Sequence, residues 1–102
     1  MRVIKRSTLL AFAKQDPDAL APLRHWYQAV RAARWRSFAD VRRTFITADV
    51  VRTNRGHRVL VFDIAGNNHR LVAHVSYQKQ KVYVLRVMTH REYNRNRWKD
   101  EL

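Results

Sequence analysis

The chain has 102 residues and a net charge of +13, from 21 Lys or Arg against 8 Asp or Glu. A hydrophobic fraction of 46% with 11% aromatic residues excludes a disordered polycation, and the absence of cysteine excludes disulfide bonds and a cysteine zinc site. A chain of this length fits one domain, so a single domain is predicted over residues 1–102.

The first 45 residues are predicted to be helical. Apolar residues at positions 9–13 indicate a short helix that Ser7 or Thr8 would cap. Asp16-Pro17-Asp18 ends this helix, and a second helix follows with apolar residues at three- and four-residue spacing. These apolar residues are Leu20, Leu23, Trp26, Tyr27, Val30 and Ala33. Ser37 is placed to cap a third short helix.

The second half of the chain predicts strands joined by short turns. Val59 to Ile64 is apolar on both faces, as in a central strand, and the segment from Arg70 to Tyr77 alternates between two faces. Two further strands are predicted over Ala48–Thr53 and Lys81–Met88. The turns are Asn54-Arg55-Gly56, Ala65-Gly66-Asn67-Asn68 and Gln78-Lys79-Gln80. This order predicts an α+β domain, with N-terminal helices packed on a C-terminal antiparallel sheet.

The basic residues are mostly arginine. Lysine contributes only Lys5, Lys14, Lys79, Lys81 and Lys99. Arginine can bind phosphate with two hydrogen bonds and can stack on bases, so this bias favours a nucleic-acid partner. The alternative is a protein from an arginine-rich proteome whose charge is neutralised by an acidic partner. The apolar segment at positions 9–13 is too short for a signal-peptide core or a membrane span, so a cytoplasmic protein without a membrane partner is expected.

Three segments of the second half carry a spaced set of motifs. They are Val61-Phe62-Asp63-Ile64-Ala65-Gly66-Asn67-Asn68-His69-Arg70-Leu71-Val72, Val82-Tyr83-Val84 and Thr89-His90-Arg91-Glu92-Tyr93-Asn94. The combination resembles the HigB-like toxins of the RelE/ParE superfamily, whose pattern is F-N/D-I-x-G-N-x-x-R-L, then V-Y-I, then T-H-x-E-Y-D. The first half is similar as well, at Trp26-Tyr27, Trp35 and Ser37. The resemblance extends from about Ser7 to Tyr93.

This resemblance implies a RelE-like fold and the toxin of a type II toxin–antitoxin system. Such toxins are mRNA interferases that cut mRNA on the translating ribosome and are held inactive by a HigA-like helix-turn-helix antitoxin. Cleavage uses the 2′-hydroxyl of the RNA, without a metal or another cofactor. Asn94 stands where the family usually has Asp. Because an amide does not accept a proton as a carboxylate does, a catalytic role of that Asp does not transfer to this chain.

Cleavage by the 2′-hydroxyl needs a proton acceptor, a group that stabilises the charge on the phosphate, and a proton donor. The catalytic candidates are Arg70, His90, Tyr93 and Lys81. Arg70 lies within an apolar strand, where an unpaired charge is costly, and could clamp the scissile phosphate with two hydrogen bonds. Alternatively, Arg70 pairs with Asp63 or Glu92.

His90 and Tyr93 would share one face of a helical turn, since they are three residues apart. His90 could act as a general acid or base, because histidine titrates near neutrality, or could cap the end of the strand. Tyr93 could act likewise, stack on a base, or seal the core. Lys81 could stabilise charge in the transition state or be a solvated turn lysine.

Further basic residues are candidates for binding RNA outside the chemistry. They are Arg86, Arg91, Arg95 and Lys79. Thr89 could orient a phosphate but is predicted to cap, and Asn67 with Gly66 is predicted to form a turn. The remaining histidines are predicted to lie on the surface, without forming a metal site. The tryptophans Trp26, Trp35 and Trp98 are predicted to lie in the core or to line a groove, and Trp98 alone has the alternative of stacking on RNA.

Two other functions are compatible with the same features. The superfamily includes ParE-type gyrase poisons, which use this fold without nuclease activity. A non-enzymatic nucleic-acid-binding module would explain the charge equally well. It would give no reason, however, for the three-residue spacing of His90 and Tyr93. The set of Arg70, His90 and Tyr93 favours the nuclease.

Overall fold

Five strands and five helices form the computed structural model, which describes residues 1–102. The strands are β1 (Arg2–Ile4), β2 (Asp49–Arg52), β3 (Arg58–Ile64), β4 (His69–Ser76) and β5 (Lys81–Thr89). The helices are α1 (Arg6–Gln15), α2 (Leu20–Ala32), α3 (Phe38–Thr44), α4 (His90–Asn94) and α5 (Trp98–Glu101). A single 3-10 turn at Pro17–Ala19 joins α1 to α2. None of these helices is long and apolar enough to cross a bilayer.

All five strands belong to one sheet, in the order β1-β5-β4-β3-β2. The strands β2 to β5 form the predicted antiparallel meander, and the α+β class is confirmed. The sequence did not predict β1, which pairs parallel to β5 and makes the sheet mixed. Three residues carry too little periodicity to identify a strand, and β1 depends on its pairing with β5.

The starts of two helices differ from the prediction. Neither Ser7 nor Thr8 caps α1, which follows Lys5 in the left-handed region (φ 66°) without a side-chain cap. Ser37 does precede α3, but its side chain makes no capping hydrogen bond. Instead, Asp40 accepts a hydrogen bond from the backbone N–H of Arg36 at 2.8 Å.

Each face of the sheet has its own core. The helices α1, α2 and α3 pack on one face, where Trp26 and Trp35 lie against Phe62 with ring centroids 5.4 and 6.3 Å apart. The other face carries a smaller cluster: Val59, Val61, Val72, Met88 and Trp98. Because alternate residues of a strand point to opposite faces, the C-terminal helices α4 and α5 cover this second face.

A β-bulge interrupts the pairing of β4 with β5. Val72 pairs with Arg86 and Ala73 pairs with Val84, so Leu85 is an extra residue in β5. The bulge keeps Val84 on the face that carries the larger core while Arg86 lies beside α5, where it reaches Glu101 at 3.3 Å.

Candidate active site

Arg70 is a buried cation that makes one ion pair and two hydrogen bonds. It lies opposite Asp63 in the β3–β4 pair, and its Nε is 3.1 Å from Asp63 Oδ1. One terminal nitrogen donates to the carbonyl of His69 at 3.0 Å, and the other donates to Asn67 Oδ1. Only 8% of Arg70 is exposed. Of the two pairings considered from the sequence, the structure therefore has the one with Asp63, and these acceptors offset the cost of burying the charge.

Tyr93 of α4 lies between Arg70 and Trp98. The guanidinium carbon of Arg70 is 5.5 Å from the centre of the Tyr93 ring, and Trp98 stacks on Tyr93 at 5.3 Å. Burial raises the pKa of Tyr93 above its ordinary value of 10.0, Asp49 and Asp63 raise it further, and Arg70 opposes them. The phenol is therefore protonated at neutral pH, so that Tyr93 can donate a proton but is not a base.

His90 begins α4 at the end of β5. Thr89 Oγ1 accepts a hydrogen bond from the Glu92 N–H at 3.1 Å, which confirms the predicted cap. His90 Nε2 is 3.0 Å from Asn94 Nδ2, whereas its Nδ1 is buried without a partner. When the amide donates to Nε2, the neutral imidazole carries its proton on Nδ1 and keeps its lone pair on Nε2. Asn94 thus fixes the orientation of a basic nitrogen.

The structure does not bring every candidate to this place. Lys81 begins β5, eight residues before Thr89, which is about 26 Å along an extended strand. Lys81 is thus remote from Arg70 and His90, and its neighbours across the sheet are Arg2 and Ser76.

The residues predicted to contact RNA lie on β5, on and after α4, and in the turn between β4 and β5. Arg86 is one-third exposed and paired with Glu101. Arg91 and Arg95 are exposed on and after α4. Lys79 is exposed in the turn between β4 and β5, at the far end of the sheet.

One prediction about a single side chain is wrong. His69 is not a surface histidine, since it is 6% exposed and its Nε2 lies 2.7 Å from Asp16 Oδ2, a contact that joins the helical layer to β4. Trp98 is 2% exposed, which confirms the predicted core position and excludes the alternative of stacking on RNA. His25, His57 and His74 are exposed, as predicted. No three His, Cys, Asp or Glu side chains converge closely enough to hold a metal ion.

Two partners of the candidate residues are not evident from the sequence. Asn67 is predicted to form a turn, and in the structure its side chain also accepts a hydrogen bond from the guanidinium of Arg70. Asn94 departs from the family pattern, and in the structure it is the partner of His90. The four-residue spacing from His90 to Asn94 was a usable signal, because such residues are neighbours on a helix.

Comparison with known proteins identifies the family of this chain. The segment 19–96 matches the family model of the HigB toxin, described as the RelE-like toxic component of a toxin–antitoxin system. The chain is 50% identical over 34 residues to the mRNA interferase toxin HigB of Escherichia coli (strain K12) and to the mRNA interferase HigB of Shigella flexneri. Those matches span 33% of this chain and 33% of each relative. A longer match, 21% identical over 95 residues, covers 93% of this chain and 90% of the mRNA interferase HigB of Escherichia coli O6:H1. The chain therefore belongs to the HigB toxin family.

Proposed function

We propose that this chain is the toxin of a type II toxin–antitoxin pair and an endoribonuclease that cleaves mRNA without a metal. The observation that carries the proposal is the convergence of Arg70 and Tyr93 at the end of the sheet where His90 begins α4. This arrangement offers a fixed cation, a protonated phenol and a basic imidazole nitrogen. The names of the relatives, mRNA interferase HigB, support the same reaction.

The proposed reaction is an attack by the 2′-oxygen of the RNA on the adjacent phosphorus. The bond from phosphorus to the 5′-oxygen breaks, which gives a 2′,3′-cyclic phosphate and a 5′-hydroxyl. His90 Nε2 accepts the proton of the 2′-hydroxyl, which takes the place of the Asn94 amide. Tyr93 donates its phenolic proton to the departing 5′-oxygen. Water then returns the proton from His90 to Tyr93.

Arg70 stabilises the negative charge on the phosphate in this scheme. A guanidinium has five N–H groups; hydrogen bonds to His69 and Asn67 use two, and Asp63 lies 3.1 Å from Nε, so the second N–H of each terminal nitrogen remains for a phosphate oxygen. A donor that is already fixed in place needs no reorganisation during the reaction. Asp63 and Asn67 are thus positioning residues for Arg70.

The remaining basic candidates are assigned to binding the RNA. Arg86, Arg91, Arg95 and Lys79 would contact phosphates along the strand, as the net charge of +13 favours. We assign Lys81 to the same role, which its distance from Arg70 supports.

The proposal extends to location and partners. The toxin would act on mRNA in the cytoplasm, on the translating ribosome, and a HigA-like helix-turn-helix antitoxin would hold it inactive. A basic toxin favours a partner that presents acidic residues, because complementary charge speeds association.

The test is induced expression with mapping of new 5′ ends in mRNA, for the wild type, Arg70→Ala, Arg70→Lys and His90→Gln. We expect growth arrest and new mRNA ends with the wild type, and loss of both with each variant, while circular dichroism shows that the variants fold. Arg24→Ala, which removes an exposed arginine of α2, should cleave like the wild type. Arrest with intact mRNA would contradict the nuclease and favour the gyrase poison.

A further inference from the structure

A groove on the second face of the sheet lies outside the candidate active site. Its floor is the cross-strand pair His74 and Tyr83, whose ring centroids are 5.9 Å apart and whose planes are tilted by 33°. His74 is exposed, Tyr83 is half-buried, and neither side chain has a hydrogen bond within the chain. Neither residue belongs to the larger or the smaller core of the sheet. The two rings therefore contact each other across the strands but pack against neither core.

The wall of the groove is the bulge of β5. Leu85, the extra residue, is 38% exposed and lines the groove, with Leu102 also along its edge. Leu85 is two residues from Tyr83, and both side chains line the groove. Bulges are frequent beside functional sites, where they redirect a side chain. The result is an apolar slot above a pair of aromatic rings, open to solvent.

The charges around the groove are mainly positive. Lys79 and Arg58 line it and are exposed without an acidic partner. Glu101 also lines it, but its carboxylate is paired with Arg86 at 3.3 Å. His57, a further lining residue, contacts the backbone oxygen of Leu102 through Nδ1 at 2.6 Å. An aromatic floor with cations on the rim suits a stacked nucleobase whose phosphates lie outside.

We propose that this groove is a nucleobase subsite, in which one base of single-stranded RNA stacks on His74 and Tyr83 while Lys79 binds an adjacent phosphate. His74 is four residues from Arg70 on β4, which is about 13 Å along the strand. One RNA chain can therefore occupy the groove and the candidate active site together. The identification of that RNA as the substrate rests on the proposed function; the binding itself does not.

The test uses short single-stranded 2′-O-methyl RNA, which lacks the attacking hydroxyl, in a fluorescence anisotropy titration. Stacking of a base on an aromatic side chain is worth enough that Tyr83→Leu and His74→Ala should each weaken binding about 10-fold. Tyr83→Phe, which keeps the ring, should bind like the wild type. His25→Ala, which removes an exposed histidine of the helical layer, is the matched control and should also bind like the wild type.

A second titration uses the same oligonucleotide with single abasic positions. One abasic position should weaken the wild type as much as Tyr83→Leu does, and the two changes together should cost no more than either alone. Wild-type affinity of Tyr83→Leu, or an equal loss for every abasic oligonucleotide, would overturn the proposal. A wild type that binds through Tyr83 but cleaves no RNA would instead refute the nuclease and leave the subsite supported.

Discussion

Arg70 is a charged residue of which only 9% of the side chain is exposed. The Asp63 carboxylate is the one negative charge that it contacts. Removing that carboxylate would leave a buried cation without a counter-charge. The resulting loss of stability is larger than the net stabilisation that the intact ion pair provides. Asp63→Ala is expected to lower the free energy of unfolding by about 3 kcal/mol, the low end of the range for buried pairs, because Asp63 is 32% exposed. Urea unfolding measures the difference.

The matched control for Asp63 is Arg43, which pairs with Asp40 of the same helix. Arg43 is 77% exposed, so water solvates the Asp40 carboxylate when the guanidinium is removed, and Arg43→Ala should cost no more than about 1 kcal/mol. Equal losses for the two variants would mean that the burial of Arg70 has no energetic consequence.

Tyr93 makes the stability depend on pH in the alkaline range. Its pKa is raised when the chain folds, first by burial and then by Asp49. The stability linked to this shift is fully present below the unfolded pKa of about 10 and is lost as the pH rises through the folded pKa. The pKa of Tyr77 is also raised, by burial and by Asp40, so it acts in the same pH window.

Tyr93→Phe is therefore expected to lose less stability than the wild type between pH 9 and pH 11, while the part due to Tyr77 remains. Urea midpoints across this range measure the effect. The same variant should lose RNA cleavage at neutral pH, because the proton donor is gone, although its fold is kept. An identical pH dependence in both proteins would show that the Tyr93 phenol titrates as it does in the unfolded chain.

At the scale of elements, periodicity predicted most of the fold. The repeat of apolar residues identified α2, and strands with turn residues between them identified β3, β4 and β5. Short elements were different, because β1 and α5 have three and four residues and are stabilised by contacts with distant parts of the chain. The candidate site was likewise predicted only in part. The motif predicted Arg70 and His90 as site residues, but the contact of Asn67 with the guanidinium depends on the geometry of the folded turn.

Trp98 anchors the C-terminal segment from α4 to α5 on the second face of the sheet. Its ring is 2% exposed, stacks on Tyr93, and donates from Nε1 to the Tyr93 carbonyl at 3.1 Å. Trp98→Ala is expected to lower the free energy of unfolding by about 3–5 kcal/mol, as for other buried aromatic residues. Because Tyr93 loses its support, RNA cleavage should fall as well.

Trp98→Phe separates packing from the hydrogen bond in that segment. It keeps a ring against Tyr93 but removes the Nε1 donor, so the loss of stability should be smaller than for Trp98→Ala. Thermal unfolding and cleavage assays on the two variants give the comparison. Full activity in a folded Trp98→Ala protein would mean that the stack does not position Tyr93.

At the scale of the whole molecule, the charge of +13 acts on any polyanion, and the two faces of the sheet should contribute differently. Arg91 and Arg95 lie at α4 beside the candidate site, whereas Arg24 and Arg42 lie on helices of the opposite face. All four are exposed. Replacing either pair with glutamine lowers the net charge equally, so a difference between the pairs reports the position of the RNA.

Binding of single-stranded RNA should weaken linearly with the logarithm of the salt concentration, with a slope of about 0.7 for each phosphate contact. The Arg91→Gln/Arg95→Gln variant is expected to reduce that slope by about 1.4, for two lost contacts, whereas Arg24→Gln/Arg42→Gln should leave the slope near the wild-type value. Titrations of 2′-O-methyl RNA at several salt concentrations measure both slopes. If the two variants reduced the slope equally, the RNA would be attracted by the overall charge alone, and the contacts assigned to Arg91 and Arg95 would be wrong.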